Sequence, residues 1–120
     1  MGSCMLVVLS DAKDGREDEF NAWYTNEHLD DIVAMPGFRS AKRYRLRTLN
    51  MGSFSNKYLA IYEIDAEDPE RAVDEMFALR DTPAMPLHPA FDLDTCNVAI
   101  FEACSDEVFA PGADPKGDVK

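Results

Sequence analysis

At 120 residues the chain has room for one domain with a real core and too little length for two. With 23 acidic against 12 basic side chains it carries a net charge of −11, which repels nucleic acid as a partner, and no apolar run approaches the ~20 residues of a membrane span. Cys4, Cys96 and Cys104 are odd in number and lack the spacing of a zinc cluster or redox pair, so they read as reduced thiols in a soluble cytoplasmic protein.

The first element in chain order is the apolar run from Cys4 to Ser10, of strand length and without alternation, which reads as a buried strand. Asp14-Gly-Arg-Glu17 offers a capping-box arrangement for a helix that should end before Pro36-Gly37. On a wheel turning about 100° per residue, Phe20, Trp23, Tyr24, Ile32 and Met35 of that helix share one face with Glu27, His28 and Asp31. Phe38 to Leu49 alternates and is rich in basic residues, Asn50 to Asn56 supplies turn chemistry, and Lys57 to Ile64 is a second apolar run; together they predict two strands and a hairpin loop. Asp68-Pro69 places a cap and an N1 proline before a second helix whose stripe is Ala72, Val73, Met76, Phe77 and Arg80, with its end at Thr82-Pro83. A proline-rich connection, 83–89, leads to a last strand near Cys96 to Ala103, and residues 105–120 form a polar tail.

The order β-α-β-β-α-β predicts an α+β, ferredoxin-like fold over residues 1–104, with a four-stranded antiparallel sheet and the first and third strands central. Those two strands are apolar on both faces, whereas the second carries the charges of an edge. Two helices cover one face of such a sheet only, so a second copy is expected to cover the other, giving a homodimer joined sheet to sheet. The basic segment holding Arg39, Lys42, Arg43, Arg45 and Arg47 has no aromatic platform or glycine loop and reads as a local anion site or as salt-bridge partners.

The segment from Phe20 to His28, followed by Met35-Pro-Gly-Phe38 and Ser40-Ala-Lys-Arg-Tyr-Arg45, resembles the first helix and second strand of EthD-like members of the dimeric α/β-barrel superfamily. The element order fits over roughly residues 4–104, while the match in sequence is concentrated in 20–45. Families of this kind include cofactor-free lactone isomerases, polyketide cyclases, monooxygenases and accessory proteins without assigned activity, and the fold does not choose among them. The resemblance implies that His28 lines a pocket between helix and sheet and takes part in proton transfer. His88-Pro-Ala-Phe91 resembles, more weakly, a His-Pro segment before the last strand of related barrel proteins, whose histidine is a base; the surrounding residues depart from that pattern.

A pocket between helix and sheet would be lined by Trp23, Tyr24, His28, Tyr44 or Tyr62 and suit a mid-sized aromatic or polyketide-like ligand. A neutral imidazole there could take a proton from a carbon beside a carbonyl or from a phenol. Glu27 or Asp31 could orient the ring, and a tyrosine hydroxyl or Arg43 could hold the developing oxyanion. The expectation is a cofactor-free lyase, isomerase or cyclase of aromatic compound catabolism with His28, Tyr24, Arg43 and Glu27 as its machinery. Trp23, Tyr44, Tyr62, His88 and Asp31 would bind the substrate. A cofactor-free monooxygenase of an aromatic substrate and a non-catalytic ligand-binding protein remain open, as do a structural His28 at the edge of a buried stripe, core-packing tyrosines and a plain loop His88. No His-x-His or His-x-x-x-His spacing organises Glu27, His28, Asp31 and His88 into a metal site, so no metal, haem or other cofactor is expected.

Overall fold

The computed structural model describes residues 3–113. Strand β1 (Cys4–Ser10) pairs antiparallel with β3 (Tyr58–Ile64) on one side and β4 (Asn97–Glu102) on the other, and β2 (Phe38–Arg45) pairs with β3. The resulting order, β2-β3-β1-β4, puts the first and third strands in the centre, as the sequence predicts. Register sets the faces. Leu6 lies opposite Tyr62 and Ile100, and Val8 opposite Ala60 and Val98, so these residues share the face that the helices cover. The other face carries Met5, Val7, Leu9, Leu59, Ile61 and Phe101, half-buried or exposed, and nothing among the described residues packs over it as a layer.

The first helical segment is three joined pieces rather than one helix: α1 (Glu17–Trp23), a π turn (Tyr24–His28) and α2 (Leu29–Val33). Its start also differs from the capping-box expectation. Arg16 occupies the cap position and its N–H donates to the Lys13 carbonyl at 3.0 Å, closing a turn around Gly15 (φ 76°) that leaves Asp14 outside the helix. No side chain caps this end; Glu17, Asp18 and Glu19 in the first turn offset the positive end of the helix instead. After α2, Phe38 donates to the Met35 carbonyl across Pro36 and Gly37, with Gly37 at φ 94°: proline at the second position and a positive-φ glycine at the third mark a type II turn.

Helix α3 (Pro69–Ala78) begins as predicted, with Asp68 accepting from the Arg71 N–H at 3.1 Å and Pro69 in the first turn. It ends before the predicted Thr82-Pro83, because residues 79–85 fold back on themselves: Asp81, at φ 59°, donates its N–H to the Met85 carbonyl at 2.8 Å. Strand β2 likewise stops at Arg45, short of Leu49, since β3, its neighbour in the sheet, begins at Tyr58 and a single bond, Leu46 N–H to Lys57 carbonyl, continues the pairing. Asn56, read as turn chemistry, is buried and clasps three strand ends: its amide donates to Asp11 and to the Thr95 carbonyl and accepts from Asn97. Residues 105–113 of the expected polar tail are exposed, and 114–120 lie outside the described residues.

The apolar core between sheet and helices holds Leu6, Phe20, Tyr24, Ala60, Tyr62 and Met76 at its centre. Gly37 is where the first helical layer meets the second: a Cβ there would lie 2.9 Å from the Ala72 Cβ of α3. Gly37→Ala therefore combines an unfavourable positive φ with a clash, and we expect a loss of about 2 kcal/mol in urea unfolding, against almost none for the same change at the open Gly52 beyond its own backbone strain.

Candidate functional site

Between the first helical segment, α3 and the sheet lies a cavity of about 500 Å³. Tyr24, His28 and Ile32 line it from the first segment, and Val8, Cys96 and Val98 from the sheet side. Met76, Phe77, Arg80 and Asp81 close it from α3 and the turn beyond, with Met85, Leu87, Phe91 and Leu93 from the connection that follows. Apolar side chains dominate, with a few polar groups among them, the composition of small-molecule sites in general.

The π turn puts His28 here. In an α-helix residues i and i+5 stand about 140° apart around the axis. Here the Leu29 N–H donates to the Tyr24 carbonyl, five residues back, and the extra residue in the turn brings side chains at that spacing into line. Trp23 and His28 thereby stack at 4.5 Å between centroids and 26° between planes, while Tyr24 meets the imidazole edge-on at 4.7 Å and Phe91 at 6.3 Å. His28 is 4% exposed, and its Nδ1 has no hydrogen-bond partner among the described residues. Burial among these rings, helped by the Arg43 cation, pushes its pKa down to about 4, so the ring is neutral at pH 7.

Tyr24 joins His28 on the cavity wall, and its hydroxyl shares a 2.8 Å hydrogen bond with that of Tyr62 deep in the core. Burial pushes Tyr24 up to about 12 and Tyr62 well above the ordinary phenol range, so both stay protonated. Arg43 reaches inward from β2 but stops short of this cavity. Its guanidinium lies 4.6 Å from the Tyr24 ring centroid and 5.2 Å from that of Tyr58, and donates to Asn21 Oδ1 and Thr25 Oγ1 at 2.9 Å each. It opens instead onto a separate hollow of about 250 Å³ beside Asn21 and Tyr58.

The remaining expected site residues are dispersed. Trp23 backs the imidazole from outside the lining. Glu27 is exposed and Asp31 half-buried, and neither bonds the His28 ring, because the π turn displaces the uniform wheel that put all three on one face. The expected carboxylate–imidazole pair therefore does not form. Tyr44 is 43% exposed with the Lys42 ammonium 5.4 Å from its ring. His88, half-buried, accepts from the Ala90 N–H at its Nδ1 and touches Trp23 at 5.9 Å, steadying its own loop off the cavity wall. Among the described residues no three His, Cys, Asp or Glu side chains gather as a metal-holding group.

Several wall residues escaped the sequence reading. Phe91, Met85 and Leu87 come from the proline-rich connection, where no periodicity announces an inward side chain. Cys96 faces the cavity with its thiol pushed up to about 11 by burial, which keeps it neutral and unreactive. Arg80 was visible as the last member of the α3 stripe, though not as part of a site.

The neutral state of His28 has a thermodynamic consequence. In the unfolded chain the imidazole takes its proton near pH 6.5; in the folded protein it does so only near 4, so between these values the unfolded chain binds more protons and stability falls as pH falls. By pH 4.5 the wild type should lose about 2.5 kcal/mol more than His28→Gln, relative to pH 7.5, in paired urea titrations. Equal losses would mean that the ring is solvated.

Neither a protein-family model nor a curated protein matches this sequence. Solved structures do match in fold. An ethyl tert-butyl ether D (EthD) family protein from Bacillus halodurans C-125 is 14% identical and superposes with a TM-score of 0.52 over 86% of this chain and 99% of that one. A protein from Shewanella loihica PV-4 provisionally described as a monooxygenase is 15% identical, with a TM-score of 0.55 over 88% of this chain and 99% of that one. A dimeric ferredoxin-like protein of unknown function from Thermobifida fusca YX is 15% identical, with a TM-score of 0.53 over 85% and 92%. What the arrangement of strands, helices and register establishes together with these likenesses is the fold: the chain has an α+β, ferredoxin-like fold, which it shares with the EthD family protein.

Proposed function

We propose that this protein is a small cofactor-independent enzyme, a lyase, isomerase or cyclase, in which His28 takes a proton from a mid-sized aromatic or polyketide-like substrate. The observation that carries the reading is a neutral imidazole, its Nδ1 without a hydrogen-bond partner among the described residues, on the wall of a largely apolar cavity of about 500 Å³. A ring held near pKa 4 is in the accepting form at pH 7 but is a weak base. It therefore suits acidic protons, such as a C–H flanked by carbonyls or a phenol O–H. An anion forming beside it also raises its basicity during the transfer. Tyr24, protonated and with its ring centroid 4.7 Å from that of the imidazole, carries the hydroxyl assigned here to the developing oxyanion, with Tyr62 hydrogen-bonded behind it.

A second reading follows from the aromatic lining and the description of the Shewanella protein: a cofactor-free monooxygenase in which the same proton transfer prepares an electron-rich ring for dioxygen. Dioxygen uptake in step with turnover selects it. Saturable binding without exchange or product selects a ligand-binding protein.

The first test needs no knowledge of the product. In D2O the protein should speed deuterium incorporation into 1,3-dicarbonyl and hydroxyaromatic probes followed by proton NMR, and His28→Gln should cut that rate by about a hundredfold while the protein stays folded. An unchanged rate in the variant removes His28 from the chemistry.

The same proposal includes a homodimer. Support comes from the apolar outer face of the sheet, where Val7 lies opposite Ile61 and Ala99 and Phe101 is 55% exposed, and from the dimeric state of the Thermobifida protein. Ile61→Lys should halve the mass seen by sedimentation while leaving the fold intact; a wild type that already sediments as a monomer rules the dimer out.

A further inference from the structure

The stripe that α3 turns toward the core runs Ala72, Val73, Met76 and Phe77, and Arg80, exposed and two residues past the helix end, continues its spacing. A charge continuing an apolar stripe calls for a reason. Arg80 sits on the cavity wall, with its guanidinium 5.5 Å from the Phe77 ring centroid. Its backbone is held in place: the N–H donates to the Phe77 carbonyl at 3.1 Å, and the residue bridges to Met85.

Ion pairs among the described residues are Arg16 with Glu19, Lys57 with Glu17 and Arg71 with Glu75; Arg80 joins none, although acidic side chains outnumber basic ones 23 to 12. An unpaired cation at the edge of a hollow whose other walls are mainly apolar is a recognition point for an anion. Behind Tyr24 the Arg43 guanidinium adds positive field at the inner end, 4.6 Å from that ring. Asp81 stands at the same rim and is the one charge that favours a cation instead.

We infer that Arg80 recognises an anionic group of the ligand, so that the cavity takes an amphipathic molecule with an aromatic body and one carboxylate, the carboxylate at the Arg80 rim and the body against Met76, Met85 and Phe91. This deepens the proposed function and rests on the cavity being the substrate site. The molecule then enters with its charge outermost, and the end that reaches His28 is uncharged before the proton leaves.

Isothermal titration of the full chain with 2-naphthoate, 2-naphthamide and 2-naphthylmethylammonium tests it, since the three share one body and differ in charge. Naphthoate should bind about tenfold more tightly than the amide. Arg80→Gln should erase that difference and leave the amide unaffected, and Arg80→Lys should retain part of it. A preference that survives Arg80→Gln, tighter binding of the ammonium compound, or no binding of any of the three overturns the inference. The two proposals fail separately: deuterium exchange untouched in His28→Gln ends the role of His28 as base while a lost naphthoate preference in Arg80→Gln still establishes the anion site, and the reverse pattern does the opposite.

Discussion

The hydrogen bond from the Leu29 N–H to the Tyr24 carbonyl spans one residue more than an α-helical bond, and the aromatic half of the core is arranged around that extra residue. Upstream of it, Phe20 and Trp23 follow ordinary helical spacing. Downstream, the helix is rotated relative to a continuous wheel, which sets His28 against Trp23 and Tyr24, seats Ile32 on the core and leaves Glu27 outside. Phe20 and Phe91 complete the cluster with centroids 5.7 Å apart, tying the helix to the connection before β4. A π turn within a helix carries fewer well-aligned bonds than the α form, so the cost of keeping it must be met by the packing of these rings.

Electrostatically the molecule is divided. Its surface is strongly acidic, yet the Arg43 cation reaches into the helix–sheet layer, wedged among the rings of Phe20, Tyr24 and Tyr58 and hydrogen-bonded to Asn21 and Thr25. It lies on an edge strand, where a long charged side chain also discourages pairing with another chain. The aromatic faces stabilise the guanidinium, and the guanidinium in turn favours electron-rich groups nearby, the tyrosine hydroxyls among them. Desolvation dominates at those hydroxyls all the same and keeps both protonated.

Much of the architecture was legible because each signal had a local cause. Two unalternating apolar runs became the central strands, Asp68-Pro69 capped α3, and Pro36-Gly37 made the turn that only a glycine tolerates at its third position. His28 was legible as an inward residue from the stripe on which it sits. What escaped depended on structure distant in sequence or on a break in periodicity. The π turn is invisible to a wheel of constant pitch, so the position of Glu27 was misjudged with it. The end of β2 is decided by where β3 begins, and the pairing of Tyr24 with Tyr62 joins positions 38 apart that no local pattern relates. Phe91 and Met85 sit in an irregular connection where nothing distinguishes an inward side chain from an outward one.

Trp23 is the only tryptophan in the chain, and its indole lies in van der Waals register with the imidazole. An imidazolium is a far better quencher of indole emission than a neutral ring, and any molecule seated against His28 alters the surroundings of the same fluorophore. The protein therefore carries an intrinsic optical gauge of the state of its own inner chamber, readable without label, substrate or substitution.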